Sequence, residues 1–163
     1  MLLKSILVIV GLAVAAPLAA QAQVLTRRDV SLQLAKAIAE AAVAQCKTDG
    51  FDASAAVVDR AGDLKLLHRA DSANPHNADL ARRKAYTART YNVASLEFAK
   101  RTAGTSDLSG QRQLVDVIPL GGGLPIRVGT EVIGAIGLSG APTQEQDEKC
   151  AQAGLAAVAG MLK

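Results

Sequence analysis

Two polar side chains stand out on a segment whose pattern otherwise predicts a small-residue helix. Lys84 and Thr87 lie three positions apart among alanines, so they share one helix face. A buried ammonium beside a hydroxyl suits the recognition of a carboxylate through charge-assisted hydrogen bonds. Two alternatives need no ligand: the lysine can extend its head group to water, or it can pair with Asp147 or Glu148.

The chain has two histidines, His68 and His76, and an imidazole is a common ligand of metal ions. Eight positions separate them, so they do not form the i, i+4 pair of a helical metal site, and zinc is not supported. His68 is expected at the end of a strand and His76 in a turn. Either side chain can act as a ligand or simply be solvated.

Three consecutive glycines lie between two apolar runs in IPLGGGLPI. A phosphate-binding loop needs a following Lys-Ser/Thr and a helix, whereas Gly121, Gly122 and Gly123 run into Leu124 and Pro125. Bare backbone would let a planar ligand or a neighbouring helix come close. The alternative is a strained connection between strands.

The first 22 residues have the order of a secretory signal peptide: an early Lys4, an apolar run, and a small-x-small sequence ending at Ala22. A membrane anchor or a buried first helix is the alternative. We expect cleavage after Ala22, which leaves one domain from residue 23 to residue 163 without a further spanning run. The predicted destination is an oxidising one, the periplasm.

Two cysteines, Cys46 and Cys150, lack the paired spacings of a zinc site. In an oxidising compartment a structural disulfide is the leading interpretation, and two buried thiols are the alternative. The cysteines fall late in the first predicted helix and early in the last. If those helices pack antiparallel, the two side chains come within disulfide range.

The composition excludes one class of partner and favours another. The net charge is only +3, with basic and acidic residues interspersed, so no nucleic-acid surface is expected. Aromatic residues make up 2% of the sequence, so the core must be built from Ala, Val, Leu and Ile. A short chain with such a core gains from burying further apolar surface, which predicts a homodimer or larger homo-oligomer.

Apolar periodicity and turn residues predict the elements that position these side chains. A long first helix begins after an N-cap at Thr26, and a last helix follows Ala141 or Thr143. Between them we expect a hairpin of two strands, a middle helix with a short helix after it, and three further strands. The hairpin strands are predicted at 53–59 and 63–71, the middle helix within 72–92 and the short helix at 95–101. The three further strands are predicted at 114–118, 124–128 and 131–139. This order favours an α+β domain with a five-stranded, mainly antiparallel sheet and the terminal helices packed on one face.

Five motifs, in order, resemble the GlcG/HbpS family, the haem-binding domain that also ends PduO-type proteins. They are VVDRAGDLKLLHRADSA, LARRKAYTA, GGGLPI, VIGAIGLSGA and QDEKCAQAG. The resemblance covers essentially the whole predicted mature chain. It implies a profilin-like fold, haem as cofactor, and dimers or larger assemblies. It also implies, for some extracellular members, haem or iron capture linked to oxidative-stress sensing.

On this resemblance the candidate iron ligands are His68 and His76, with Tyr86 and Tyr91 as further possibilities. The predicted haem site is a cleft between the glycine run and the middle helix. Its candidate residues are Lys84, Thr87, Gly121, Gly122, Gly123, Pro125, His68 and His76. Lys84 and Thr87 would meet a haem propionate or a small organic acid.

The first functional hypothesis is therefore a secreted haem-binding protein of the GlcG/HbpS type. The second is an enzyme or binding protein for a small carboxylate or oxo-acid that uses Lys84. The third is a module that only assembles oligomers. No catalytic residue is assigned, because Ser139 lacks the Gly-x-Ser-x-Gly elbow of a serine nucleophile, and a non-enzymatic binding protein is favoured.

Overall fold

The computed structural model describes residues 24–163, so the predicted signal peptide, residues 1–22, lies outside the described residues. The described elements alternate as predicted for an α+β domain. In chain order they are α1 Leu32–Thr48, β1 Ser54–Val58, β2 Leu64–Arg69, α2 Asn77–Tyr91, α3 Ser95–Arg101, β3 Gly123–Val128, β4 Glu131–Ser139 and α4 Gln144–Ala157. None of the helices in this part of the chain is long and apolar enough to cross a membrane.

The strands form one antiparallel sheet in the order β2-β1-β4-β3. Helices α1 and α4 pack together on one face of this sheet, where they enclose the larger apolar core. Helix α2 packs against β4, β1 and β3 through a second, smaller cluster of Val58, Ala85, Ala88 and Ala135. Small side chains on both partners let α2 lie close to the sheet, which accounts for a core with little aromatic mass.

The sheet has four strands, and the prediction of five was wrong. The segment 114–118, which was expected to be a strand, reverses at Asp116, where φ is +66°. Beyond this reversal the backbone N–H of Ile118 donates to Thr87 Oγ1 at 2.9 Å. The segment therefore satisfies its polar backbone on helix α2 instead of joining the sheet.

Helix α1 begins later than predicted, because its N-cap is Ser31 and not Thr26. The hydroxyl of Ser31 accepts the N–H of Leu34 at 3.1 Å. The residues before it are held by other contacts: the Asp29 carboxylate accepts the N–H groups of Val30 and Arg60. An extended segment tied to the β1–β2 turn thus replaces the first turn of the expected helix.

Helix α4 begins at one of the two predicted positions, Thr143. Its side chain and that of Gln146 form a reciprocal capping box. Pro142 precedes the cap and lies outside the first helical turn. The cap fixes the point at which α4 leaves the end of β4, which matters because α4 carries a residue of the candidate site.

The predicted disulfide is present and joins α1 to α4. Cys46 and Cys150 are both fully buried, with their Cα atoms 5.4 Å apart, and they close a loop with a sequence separation of 104. Each cysteine lies in the core between the two terminal helices. The bond therefore anchors α4 to the last turn of α1.

Candidate functional site

Lys84 and Asp147 form a buried ion pair between α2 and α4. Lys84 Nζ donates to Asp147 Oδ2 at 2.6 Å and to the Leu138 carbonyl at 2.9 Å. The exposed fractions of the two side chains are only 4% and 5%. Of the alternatives that the sequence left for Lys84, pairing with Asp147 is the one the structure shows. One ammonium thus links two helices and the end of β4.

The carboxylate of Asp147 is held on both oxygens. Its second oxygen, Oδ1, accepts the N–H of Ala141 at 2.9 Å. Burial raises the pKa of Asp147 above its ordinary value, and the Lys84 ammonium and the N–H groups of Ala141 and Gly140 oppose that rise. Full pairing is what allows such a charge to be buried at all.

The glycine run lies against this ion pair, and two of its members need glycine for different reasons. Gly122 has φ of +111°, and a Cβ there would lie 2.8 Å from both Asp147 Cβ and the Leu138 carbonyl oxygen. At Gly123 a Cβ would lie 2.7 Å from the backbone carbonyl carbon of Lys84. The bare backbone therefore serves the close approach of α2 and α4, which was one of the expectations for this segment.

Two side chains that sequence reasoning missed satisfy the backbone of the glycine run. Ser95 Oγ accepts the N–H of Gly123 at 2.8 Å, and Gln144 Oε1 accepts the N–H of Gly121 at 2.6 Å. Ser95 and Gln144 are the first residues of α3 and α4, respectively. A polar residue at a helix start was the available signal, but it did not reveal which distant backbone the side chain would meet.

Two other residues predicted for the cleft, Thr87 and Pro125, have different surroundings. Thr87 is buried, and its hydroxyl donates to the Arg83 carbonyl at 2.8 Å while accepting the N–H of Ile118. Its hydrogen bonds are therefore made within the protein. Pro125 lies on β3 opposite Ala135 of β4, as part of the sheet.

A cleft of about 390 Å³ opens on the solvent side of the ion pair, between the start of α2 and the start of α4. We call it the His76 cleft; it is lined by His76, Asn77, Leu80, Lys84, Phe51, Asn74, Asp147 and residues 139–144. His76 is the N-cap residue of α2, but its exposed side chain makes no capping hydrogen bond. The imidazole therefore stands at the rim of a cleft whose floor is the Lys84–Asp147 pair.

The structure separates the two histidines. His68 lies on β2, half-buried, and lines a different cleft, of about 490 Å³, beside Val43 and Lys47 of α1. Within residues 24–163 no three His, Cys, Asp or Glu side chains are grouped to hold a metal ion.

The two tyrosines lie away from the His76 cleft. The ring of Tyr86 packs against the β1–β2 turn. A Cβ built on Gly62 of that turn would lie 3.1 Å from the Cε2 atom of the ring. Tyr91 stacks on Phe98 of α3, with ring centroids 4.3 Å apart. Among the four side chains considered as iron ligands, His76 alone lines the cleft that contains Lys84.

A four-stranded antiparallel sheet with paired terminal helices on one face and an Ala-rich middle helix against the sheet defines an α+β domain of the HbpS kind. The family model described as "Haem degrading protein HbpS-like" matches residues 30–156. The chain belongs to this HbpS-like family, as the resemblance indicated.

Known proteins with this architecture cover most of the chain. A double mutant of HbpS from Streptomyces reticuli is 36% identical, with a TM-score of 0.78 over 88% of this chain and 97% of that one. PduOC in complex with haem is 27% identical, with a TM-score of 0.73 over 78% of this chain and 94% of that one. An uncharacterized 15.0 kDa protein of Citrobacter freundii, from the dhaT-dhaS intergenic region, is 33% identical over 77% of this chain and 89% of its own length.

Proposed function

We propose that this protein binds haem at the His76 cleft, with the imidazole of His76 as an axial ligand of the iron. The observation that carries the proposal is the placement of His76: an exposed imidazole, free of a capping bond, at the rim of a cleft. Membership of the HbpS-like family and the likeness to PduOC, solved in complex with haem, support the choice of ligand.

The residues of the cleft fit one edge of a porphyrin. Phe51, Leu80 and Pro142 supply apolar surface, while Asn74 and Thr143 supply polar groups. The volume of about 390 Å³ is near the lower end of the roughly 300–1,000 Å³ typical of small-molecule sites. Haem would supply an iron centre to which an imidazole coordinates. The remainder of the ring needs a further cover, for which we propose a second copy of the chain.

A homo-oligomer is supported by the apolar side chains that the described surface exposes. Those more than 40% exposed on secondary structure or internal loops are Leu32, Leu64, Leu67, Leu108, Leu114, Val115 and Met161. Sedimentation with and without haemin checks the proposal. We expect a dimer or larger species at micromolar concentration, and a monomer under both conditions would contradict it.

Secretion to the periplasm is the proposed location. The buried Cys46–Cys150 bond supports it, because disulfides persist in oxidising compartments. Material recovered from the periplasm should show no reactive thiol after denaturation without reductant. Two reactive thiols per chain in that material would contradict the disulfide, and absence of the protein from the periplasmic fraction would contradict the proposed location.

The small-carboxylate alternative gains no support from Lys84. Its ammonium already donates to the Asp147 carboxylate and to the Leu138 carbonyl, and the side chain is almost completely buried. A ligand carboxylate would have to displace Asp147 and leave that residue as an unpaired buried charge.

Titration with haemin tests the proposed function directly. We expect a saturable shift of the Soret band at about one haem per chain, consistent with a single site per cleft. His76→Ala should abolish the saturable phase or shift its spectrum, whereas His68→Ala, which alters the other cleft, should retain both. Unsaturable binding by the wild type, or equal spectra and affinities for the two variants, would overturn the assignment of His76.

A further inference from the structure

Four arginines converge at the other end of α2, about 20 Å along the helix from His76. Arg60, Arg89 and Arg127 line an open groove of about 290 Å³. An adjoining groove of about 270 Å³ shares Arg60 and Arg89 and adds Arg27. We call these two connected spaces the arginine groove. Its cations come from the segment before α1, the β1–β2 turn, α2 and β3.

The charges of the arginine groove do not balance. Glu131 pairs with Arg60. Asp29, the second acidic residue of the groove, accepts backbone N–H groups, and within residues 24–163 no carboxylate lies in salt-bridge distance of Arg27, Arg89 or Arg127. Four guanidinium groups thus face two carboxylates, which leaves an excess of two positive charges.

Arg89 is the least satisfied member of the groove. Its Nε–H is buried and has no hydrogen-bond partner among the described residues. Its one side-chain bond, to Asn92 Oδ1, is long at 3.3 Å. Burial and the neighbouring charge of Arg60 lower the pKa of Arg89, and the carboxylates of Asp29 and Asp59 oppose that fall without cancelling it. A buried donor without an acceptor is costly. The guanidinium that carries it lines the groove, so an anion there would meet a cation that no described carboxylate pairs.

We propose that the arginine groove binds a small dianionic oxyanion of the phosphate type, either inorganic phosphate or a phosphomonoester. The excess of two positive charges matches a dianion. Guanidinium groups that approach from several elements suit the spread oxygens of a tetrahedral anion better than a planar carboxylate. Thr130 also lines the groove and can add a hydroxyl. This site shares no residue with the His76 cleft.

Calorimetric titration with inorganic phosphate, at an ionic strength held constant with chloride, tests the proposal. We expect saturable binding that Arg89→Gln and Arg127→Gln each weaken by roughly tenfold or more, the loss of one charge-assisted bond. Arg101→Gln is the matched control, because Arg101 lies outside the groove and pairs with Glu97. Its affinity for phosphate should equal that of the wild type.

Two further probes identify the anion. Glycerol phosphate should bind if phosphomonoesters are accepted, and phosphate alone should bind if only the free anion fits. Succinate, a planar-ended dianion, should bind at least roughly tenfold more weakly than phosphate. Equal binding of succinate, or no saturable phosphate binding at constant ionic strength, would overturn the proposal.

Thermal melting without phosphate separates binding from folding. Arg89→Gln should melt no lower than the wild type, because the charge that it removes has no carboxylate partner. Phosphate should raise the melting temperature of the wild type and of Arg101→Gln but not that of Arg89→Gln. If Arg89→Gln fails to fold, the exposed Arg127 carries the same comparison. An equal stabilisation of all variants by phosphate would contradict a specific site.

Discussion

Helix α2 carries two cations in opposite circumstances. Lys84 is almost completely buried, yet both of its hydrogen bonds are short and one acceptor is the carboxylate of Asp147. Arg89 is only partly buried, but its Nε–H is left without a partner and no carboxylate of residues 24–163 lies within salt-bridge distance of it. The contrast separates a cation whose charge the protein itself pairs from one that, under the phosphate proposal, a ligand would pair.

Removal of the disulfide should have the largest effect on stability. It should loosen the helix that holds the partner of Lys84 and leave the arginine groove unchanged. Cys150 lies one turn beyond Asp147 on α4, so the bond anchors the helix that supplies the partner of Lys84. Replacing Cys46 and Cys150 by alanine should lower the free energy of unfolding by roughly 4–5 kcal/mol, as expected for a loop of about 100 residues. Urea unfolding measures this loss.

The control is phosphate affinity under native conditions. The arginine groove contains no residue of α4, so its affinity should be unchanged in the Cys46→Ala, Cys150→Ala variant. Reduction of the wild type should reproduce the loss of stability. A loss below about 1 kcal/mol would show that the bond adds little to the packing of α1 on α4.

Breaking the ion pair from one side should be the next largest effect. Lys84→Met leaves the Asp147 carboxylate buried without its partner, so we expect a loss of about 3–4 kcal/mol in the free energy of unfolding. Adding Asp147→Leu should recover most of that loss, because no unpaired charge then remains. Chemical denaturation of the single and double variants measures both terms.

Lys36→Met is the matched control for Lys84→Met. Lys36 pairs with Glu40 on the exposed face of α1, at 3.8 Å, so its replacement should cost less than about 0.5 kcal/mol. Equal losses for the two lysine variants would remove the distinction between the buried pair and a surface pair.

A methyl group on the glycine run should disturb the Lys84 region by overpacking. Gly123→Ala would place a Cβ against the backbone of Lys84, so we expect a loss of about 2 kcal/mol and a lower melting temperature. Gly110→Ala is the control, since no atom lies within 4 Å of a Cβ built there. A neutral Gly123→Ala variant would mean that α2 can move away from β3 at little cost.

Glu148 is an acidic counterpart of Arg89. Its replacement should have the smallest effect on the free energy of unfolding. Its Oε2 is buried without a hydrogen-bond partner, and burial raises the pKa of the carboxyl despite the attraction of Lys100. Because the folded pKa lies above the unfolded value, ionisation destabilises the fold at neutral pH, and this penalty is relieved as the pH falls through the raised pKa.

Glu148→Gln should therefore raise the free energy of unfolding at pH 7 by less than about 1 kcal/mol. The advantage over the wild type should shrink with falling pH and vanish below the ordinary pKa of a glutamate. Denaturation curves across that pH range measure the difference. A Glu148→Gln variant that is less stable at pH 7 would show that the carboxylate has a favourable partner.

Several parts of the fold followed from local sequence. The hairpin of β1 and β2, the short helix α3, and the pair β3 and β4 have residue patterns that few other structures satisfy, and each was found near its predicted position. The prediction of a fifth strand was wrong because of contacts between distant parts of the chain. The apolar residues of segment 114–118 resemble a strand, but Thr87 and Asp116 direct the backbone onto α2.

The sequence by itself determined the α+β class, the family, the pairing of the terminal helices and the isolated lysine among the alanines of α2. These depend on periodicity, turn residues and motif order, which are properties of neighbours along the chain. Only the tertiary structure decided what each charge meets. Lys84 and Asp147 are 63 positions apart, and the four arginines of the groove come from four separate segments, so only the fold decides that the first cation meets a carboxylate and that the others gather in one groove.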